Sequence, residues 1–208
     1  TADFCTLDGR AMQVRGLWND GAEDDTLFIV LHGIGSNPTV PYVRGIAKTL
    51  RAKGAVLRLA LRGSDGHVPD FYHGGLTEDL AAAIGCKQTR RFKHICLVGF
   101  SLGGHIALRY GTQAIDPRVK GIAAISPPLS LGAGQARLDQ WFMRPYRSRI
   151  LAGLRETYAQ CEASRRPGDQ ALPVQTKILT YIDSIKDWDQ KTVVPRFGFA
   201  SADDYYRR

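Results

Sequence analysis

The chain has 208 residues, 44% hydrophobic and 23% charged, with a formal net charge of +8. That is an ordinary globular balance, long enough for one domain with a sizeable core. It excludes a bilayer-spanning helix, because no apolar run is long enough, and the opening TADFCTLDGR has neither the basic nor the apolar region of a signal peptide.

Cys5, Cys86, Cys96 and Cys161 have no metal-ligand spacing, and a chain of this size needs no disulfide staples. Reduced thiols in a cytoplasmic protein are expected, with no metal and no cofactor. The positive charge reads as a solvated, Arg-rich surface. No long basic run or RNA-binding aromatic motif accompanies it, so no nucleic-acid partner is expected. Peripheral contact with acidic lipid stays open, and so does the oligomeric state.

In chain order, Asp8-Gly9 between DFCTL and AMQVRGLW predicts a hairpin turn. TLFIVLHG is a short apolar run ended by glycine, a buried strand. VRGIAKTLRAKG has helical spacing and stops at Gly54. AVLRLAL is the next strand, and RGSDGHVPDFYHGG a turn-rich loop. Thr77 precedes the helix EDLAAAIGCK. HICLVGF is a strand, SLGGHIALRYGTQ a helix and VKGIAAIS a strand. This alternation predicts an α/β fold, a mostly parallel sheet flanked by helices on both faces. After SPP the pattern changes. Trp141 to Ala159 reads as helical, and KILTYIDSIKDWDQ sets Ile178, Ile182, Ile185 and Trp188 or Asp189 on one helical stripe. The expected division is a core over 1–126 and a helical cap over 127–208.

The chemistry centres on LVGFSLGGHIAL. A serine hydroxyl needs a general base and a stabilised oxyanion to act as a nucleophile. Gly99-x-Ser101-x-Gly103, between an apolar strand and a helix, presents Ser101 on a sharp turn, with Gly104 adding clearance. LHGIGSNP follows the earlier strand, where a second oxyanion donor belongs. The expected oxyanion hole is the N–H groups of Ile34 and Leu102, with His32, Gly33, Gly99 and Gly103 as support.

Taken together, LHGIGSNPTVPYVRGIAKTL, LRGSDG, FYHGGLTEDL, LVGFSLGGHIALRY, AISPPLSL and FGFASADDYYRR resemble the YheT-type branch of the α/β-hydrolase superfamily. The resemblance implies an α/β-hydrolase fold with a helical cap. It also implies a Ser–Asp–His carboxylic ester hydrolase or acyltransferase, acting on short- to medium-chain acyl esters of small molecules or lipids. Ser101 falls on that branch's nucleophile and His73 on its YHSG-like motif. His105 stands where the branch usually has Asn. In that branch the acid and the histidine follow the DDYYR segment, so both, along with the last strands, are expected beyond Arg208, and the chain alone is expected to be inactive.

Among the histidines present, His94 starts a strand at the end opposite the elbow, and His105 lies one turn along the helix that leaves it. His67 and His73 lie on the loop at the correct edge. Asp65 and Asp70 on that loop read as solvated turn acids. Cys96, inside a strand, reads as inert packing. The alternatives to an esterase are acyl transfer to an alcohol, and a non-catalytic fragment with a pocket but no base.

Overall fold

The computed structural model describes residues 2–5, 13–21, 25–113 and 116–208. The strands are β1 (Ala2–Cys5), β2 (Gln13–Asn19), β3 (Thr26–Leu31), β4 (Ala55–Leu59), β5 (His94–Phe100) and β6 (Val119–Ile125). They form one sheet in the order β1-β2-β4-β3-β5-β6. β4, β3, β5 and β6 run parallel, while β1 pairs antiparallel with β2 and β2 with β4. The segments flanking the expected hairpin do pair, Cys5 opposite Gln13. The Asp8-Gly9 turn itself lies outside the described residues.

The parallel strands are apolar on both faces because helices cover both. Leu27, Ile29 and Leu31 of β3 and Leu57 and Leu59 of β4 pack on one side with α2 (Glu78–Gly85) and α3 (Leu102–Gly111). Val30, Val56 and Val98 face the other side, against Val43 and Ala47 of α1 (Pro41–Leu50). β6 is the edge strand, and only Val119 in it is buried. Cys96 is half-buried rather than enclosed, because it sits on β5 beside that thinly covered edge.

After β6 the chain is helical: α4 (Leu131–Leu138), α5 (Arg144–Ala163, entered through a 3-10 turn at Trp141–Met143), α6 (Thr176–Leu179), α7 (Ile185–Lys191), α8 (Val193–Phe197) and α9 (Ala202–Arg207). These helices share their own apolar cluster, with Leu151, Leu154, Tyr158, Ile182, Trp188 and Tyr205 at its centre. α5 lies directly on the loop after β3. A Cβ on Gly153 would sit 2.0 Å from the Gly35 carbonyl oxygen, so that crossing requires glycine.

Two expectations are corrected. The stripe from Ile178 to Asp189 is not one helix. Ser184 caps a new helix by accepting from the Asp187 N–H, and Arg155 donates to the carbonyls of Leu179 and Ile182, which satisfies the broken turn. Ile178 is consequently exposed, while Leu179 and Ile182 are buried. The turn-rich loop after β4 is not a solvated excursion either. Arg62, Asp70, Phe71 and Tyr72 are buried between sheet and cap, so Asp70 is no solvated acid. Asp70 accepts from Arg62 at 3.3 Å and from Arg196 of α8 at 2.7 Å, and Arg62 also reaches Asp79 of α2 at 2.6 Å. The opposing charges are what make that burial tolerable.

Candidate active site

Ser101 stands between β5 and α3 with φ 49° and ψ −121°. Only Ser101 and Ser126 have positive φ among the described non-glycine residues. Such a conformation costs on the order of 1–3 kcal/mol. It is held by the Ser101 N–H bond to the Ile125 carbonyl at 2.9 Å and by close passage of the chain beneath it. A Cβ on Gly103 would lie 2.4 Å from the His32 carbonyl oxygen and 2.8 Å from Leu31 Cβ, and one on Gly99 would lie 2.4 Å from the Gly103 carbonyl oxygen. Gly103→Ala is therefore expected to cost about 1–3 kcal/mol through overpacking. Urea melts check this, and an unchanged midpoint would count against the close approach.

The loop after β3 faces Ser101, and a Cβ on Gly33 would lie 3.2 Å from Ser101 Cβ. Two tyrosines fix the loop. The Gly33 N–H donates to the Tyr42 hydroxyl at 3.0 Å and the Gly35 N–H to the Tyr72 hydroxyl at 2.7 Å. The Ile34 N–H between them, and the Leu102 N–H at the first position of α3, have no hydrogen-bond partner among the described residues. His32 is wholly buried. Its Nε2 accepts from the Leu61 N–H and the Ser64 hydroxyl, so Nδ1 carries the proton and donates to the Gly33 carbonyl. His32 thus ties three segments together and has no ring nitrogen left for Ser101.

Ser101, Ile34, Ser126 and Tyr146 line two cavities. One, of about 290 Å³, lies under the cap with Leu131, Leu138, Leu154 and Trp188 in its wall. The other, of about 370 Å³, opens between Tyr42, Ile125 and Ile150. The first cavity also contains His73, Asp189, Tyr205 and Tyr206, all of which come from the loop after β4, α7 and α9.

The remaining histidines separate clearly. His94 is exposed at the far end of β5. His67 is paired with Asp65 at 3.3 Å on the surface. His105 is held by the Pro128 carbonyl at 2.7 Å. Among the described histidines, His73 alone reaches the cavity lined by Ser101. The Gly75 N–H occupies its Nδ1 at 3.1 Å, and Phe197, Phe199 and Tyr205 surround its ring. Burial, with Arg62 and Arg109 nearby, pushes its pKa down to about 3. A base that weak accepts a proton poorly at neutral pH.

Asp189 is the polar group that the helical stripe contained without marking as special. Burial raises its carboxyl to about 7, against the Tyr206 hydroxyl bond that lowers it. Burial also lowers His32 to about 4. These shifts set a pH dependence. His32 and His73 fold neutral, so each takes up a proton on unfolding, and their contribution is full above pH 6.5 and is lost as pH falls through about 4 and 3. Asp189 does the reverse. Its raised pKa favours the fold at low pH, and that contribution is lost as pH rises from about 4 to about 7. Burial lowers His105 as well, so three histidines oppose one acid between pH 4 and 6.5, and stability is expected to rise with pH across that window. Asp189→Asn is expected to steepen the rise. Urea titrations at half-unit pH steps measure both slopes, and a slope unchanged in the variant would refute the assignment to Asp189.

Among the described residues no helix is long and apolar enough to cross a membrane, and no cluster of three or more His, Cys, Asp or Glu could hold a metal ion.

Residues 28–207 match the model of the alpha/beta hydrolase family. The chain is 28% identical over 194 residues to the Escherichia coli protein named "Putative esterase YheT", covering 90% of this chain and 56% of that protein. It is 24% identical over 191 residues to the Saccharomyces cerevisiae monoacylglycerol lipase, covering 87% of this chain and 42% of that one. The chain thus spans about half the length of the curated relatives it matches. Among solved structures, the Pyrococcus furiosus esterase Pf2001 superposes with a TM-score of 0.54 at 24% identity, covering 76% of this chain and 66% of that chain. A Thermogutta terrifontis esterase superposes with a TM-score of 0.51 at 18% identity, covering 76% and 54%. These two likenesses show the fold. The match over 28–207 establishes that the chain belongs to the alpha/beta hydrolase family.

Proposed function

We propose that this chain carries the nucleophile and oxyanion hole of a serine ester hydrolase. The observation behind this is Ser101 itself, held at positive φ between β5 and α3, beside two unpartnered N–H groups and at the junction of two cavities. Ser101 Oγ attacks the ester carbonyl, and its proton leaves with the alcohol. Water then cleaves the acyl-enzyme to the acid and frees the hydroxyl. The Ile34 and Leu102 N–H groups hold the oxygen as it becomes an oxyanion. His32, Gly33, Gly99 and Gly103 support that arrangement. No general base is assigned within the described residues, since His73 is caged and weakly basic.

The helices after residue 126 serve as a cap that shapes the acyl site. A cavity of about 290 Å³ is at the small end for a ligand pocket, which supports short to medium acyl chains. The three free cysteines described, Cys86, Cys96 and Cys161, support a reducing, cytoplasmic setting. The test is hydrolysis of p-nitrophenyl butyrate, octanoate and palmitate by the natural protein carrying this sequence. Turnover of butyrate and octanoate well above palmitate is expected. No turnover of any ester, with no labelling of Ser101 by a fluorophosphonate, would leave a binding module instead.

A further inference from the structure

The cap wall of the Ser101 cavity holds a carboxylate that the esterase chemistry does not use. Asp189 is 7% exposed and lies on α7 between Trp188 and the turn into α8. Around it the cavity mixes apolar side chains such as Leu131, Leu138, Leu154 and Val193 with polar ones, among them Arg137, Gln135 and four tyrosines. Its Oδ2 accepts from the Tyr206 hydroxyl of α9 at 2.7 Å. Among the described residues no donor reaches Oδ1. Anchoring α9 to α7 needs only one oxygen, and a neutral side chain would do that without the cost of burying an acid.

We propose that Asp189 is a specificity-determining residue, held in place by Tyr206, whose Oδ1 accepts a hydrogen bond from a free hydroxyl group of the ester substrate. The proposal rests on the esterase reading only in calling the ligand an ester. A hydroxyl fits better than the other donors. Arg137 and Asp189 both line the cavity, so an ammonium or an anionic group entering it meets a like charge, whereas a hydroxyl carries none.

The experiment measures binding, so that it does not depend on Ser101 as nucleophile. Ser101→Ala natural protein is titrated calorimetrically with propyl hexanoate, with 1-hexanoylglycerol (hydroxyls on the alcohol side) and with propyl 6-hydroxyhexanoate (hydroxyl on the acyl side). At least one hydroxylated probe is expected to bind about tenfold more tightly than propyl hexanoate, and which one it is locates the subsite. Asp189→Leu is expected to abolish that preference. Tyr206→Phe, which cuts the same tie between α7 and α9 but keeps the carboxylate, is expected to retain a preference. Equal affinities for all three probes would overturn the proposal even if Asp189→Leu failed to fold. A preference lost as completely in Tyr206→Phe as in Asp189→Leu would also overturn it, because the effect would then come from helix placement. Neither outcome touches the role of Ser101, which the hydrolysis assay tests separately.

Discussion

Ser101→Ala is expected to lower kcat for p-nitrophenyl butyrate by about 10⁴- to 10⁶-fold in the natural protein, the range seen when a serine nucleophile is removed. The substitution takes away one oxygen and leaves the Ile34 and Leu102 N–H groups, the cavity and the backbone bond from residue 101 to Ile125 in place. KM should therefore change little. Ser101→Gly should lose activity equally but behave differently in stability. The φ of 49° is strained for any side chain and ordinary for glycine. Ser101→Gly is thus expected to be more stable than Ser101→Ala by about 1 kcal/mol, the signature of a site that trades stability for presentation of its hydroxyl. A Ser101→Ala protein within tenfold of the natural rate would remove the serine from the chemistry.

The parallel half of the fold was legible because each strand carries its own signal. HICLVGF is apolar on both sides and ends at the glycine-rich turn, and the strand runs from His94 to Phe100. The sharp turn at Ser101 is likewise legible from glycines that leave room for the chain beneath it. What the sequence hid was long-range compensation. The loop RGSDGHVPDFYHGG has the turn residues of a solvated segment, and local composition cannot tell that Arg196, 126 positions from Asp70, comes back to neutralise it. The break between α6 and α7 was hidden for the same reason. The apolar spacing from Ile178 to Trp188 suits one helix, and the carbonyls freed by the break are satisfied by Arg155 on α5. Asp189 fell on the buried stripe by spacing. Its significance depends on a tyrosine from another helix and on a cavity that periodicity does not describe.

Asp70→Ala is expected to destabilise the fold by about 3–5 kcal/mol, the cost of removing one member of a buried ion pair. Arg62 keeps its two contacts with Asp79 when Asp70 is lost. Arg196 does not fare as well. Its side chain is 4% exposed, its Nε donates to Asp70, and its other contact is the Ala171 carbonyl at 3.4 Å. A guanidinium would be left in the interface between core and cap without a carboxylate. Replacing both members, as in Asp70→Leu with Arg196→Met, removes the stranded charge. The double variant should therefore be more stable than Asp70→Ala alone, a coupling that a double-mutant cycle measures directly. The consequence reaches the site as well. Asp70 is followed by Phe71, Tyr72 and His73, and the Tyr72 hydroxyl holds the Gly35 N–H of the loop facing Ser101. Loosening Asp70 is thus expected to lower turnover although the residue touches no substrate, and the double variant should recover part of it. A cost below about 1 kcal/mol for Asp70→Ala, read from urea midpoints, would show that the cap is held by its apolar contacts alone and not by this clamp.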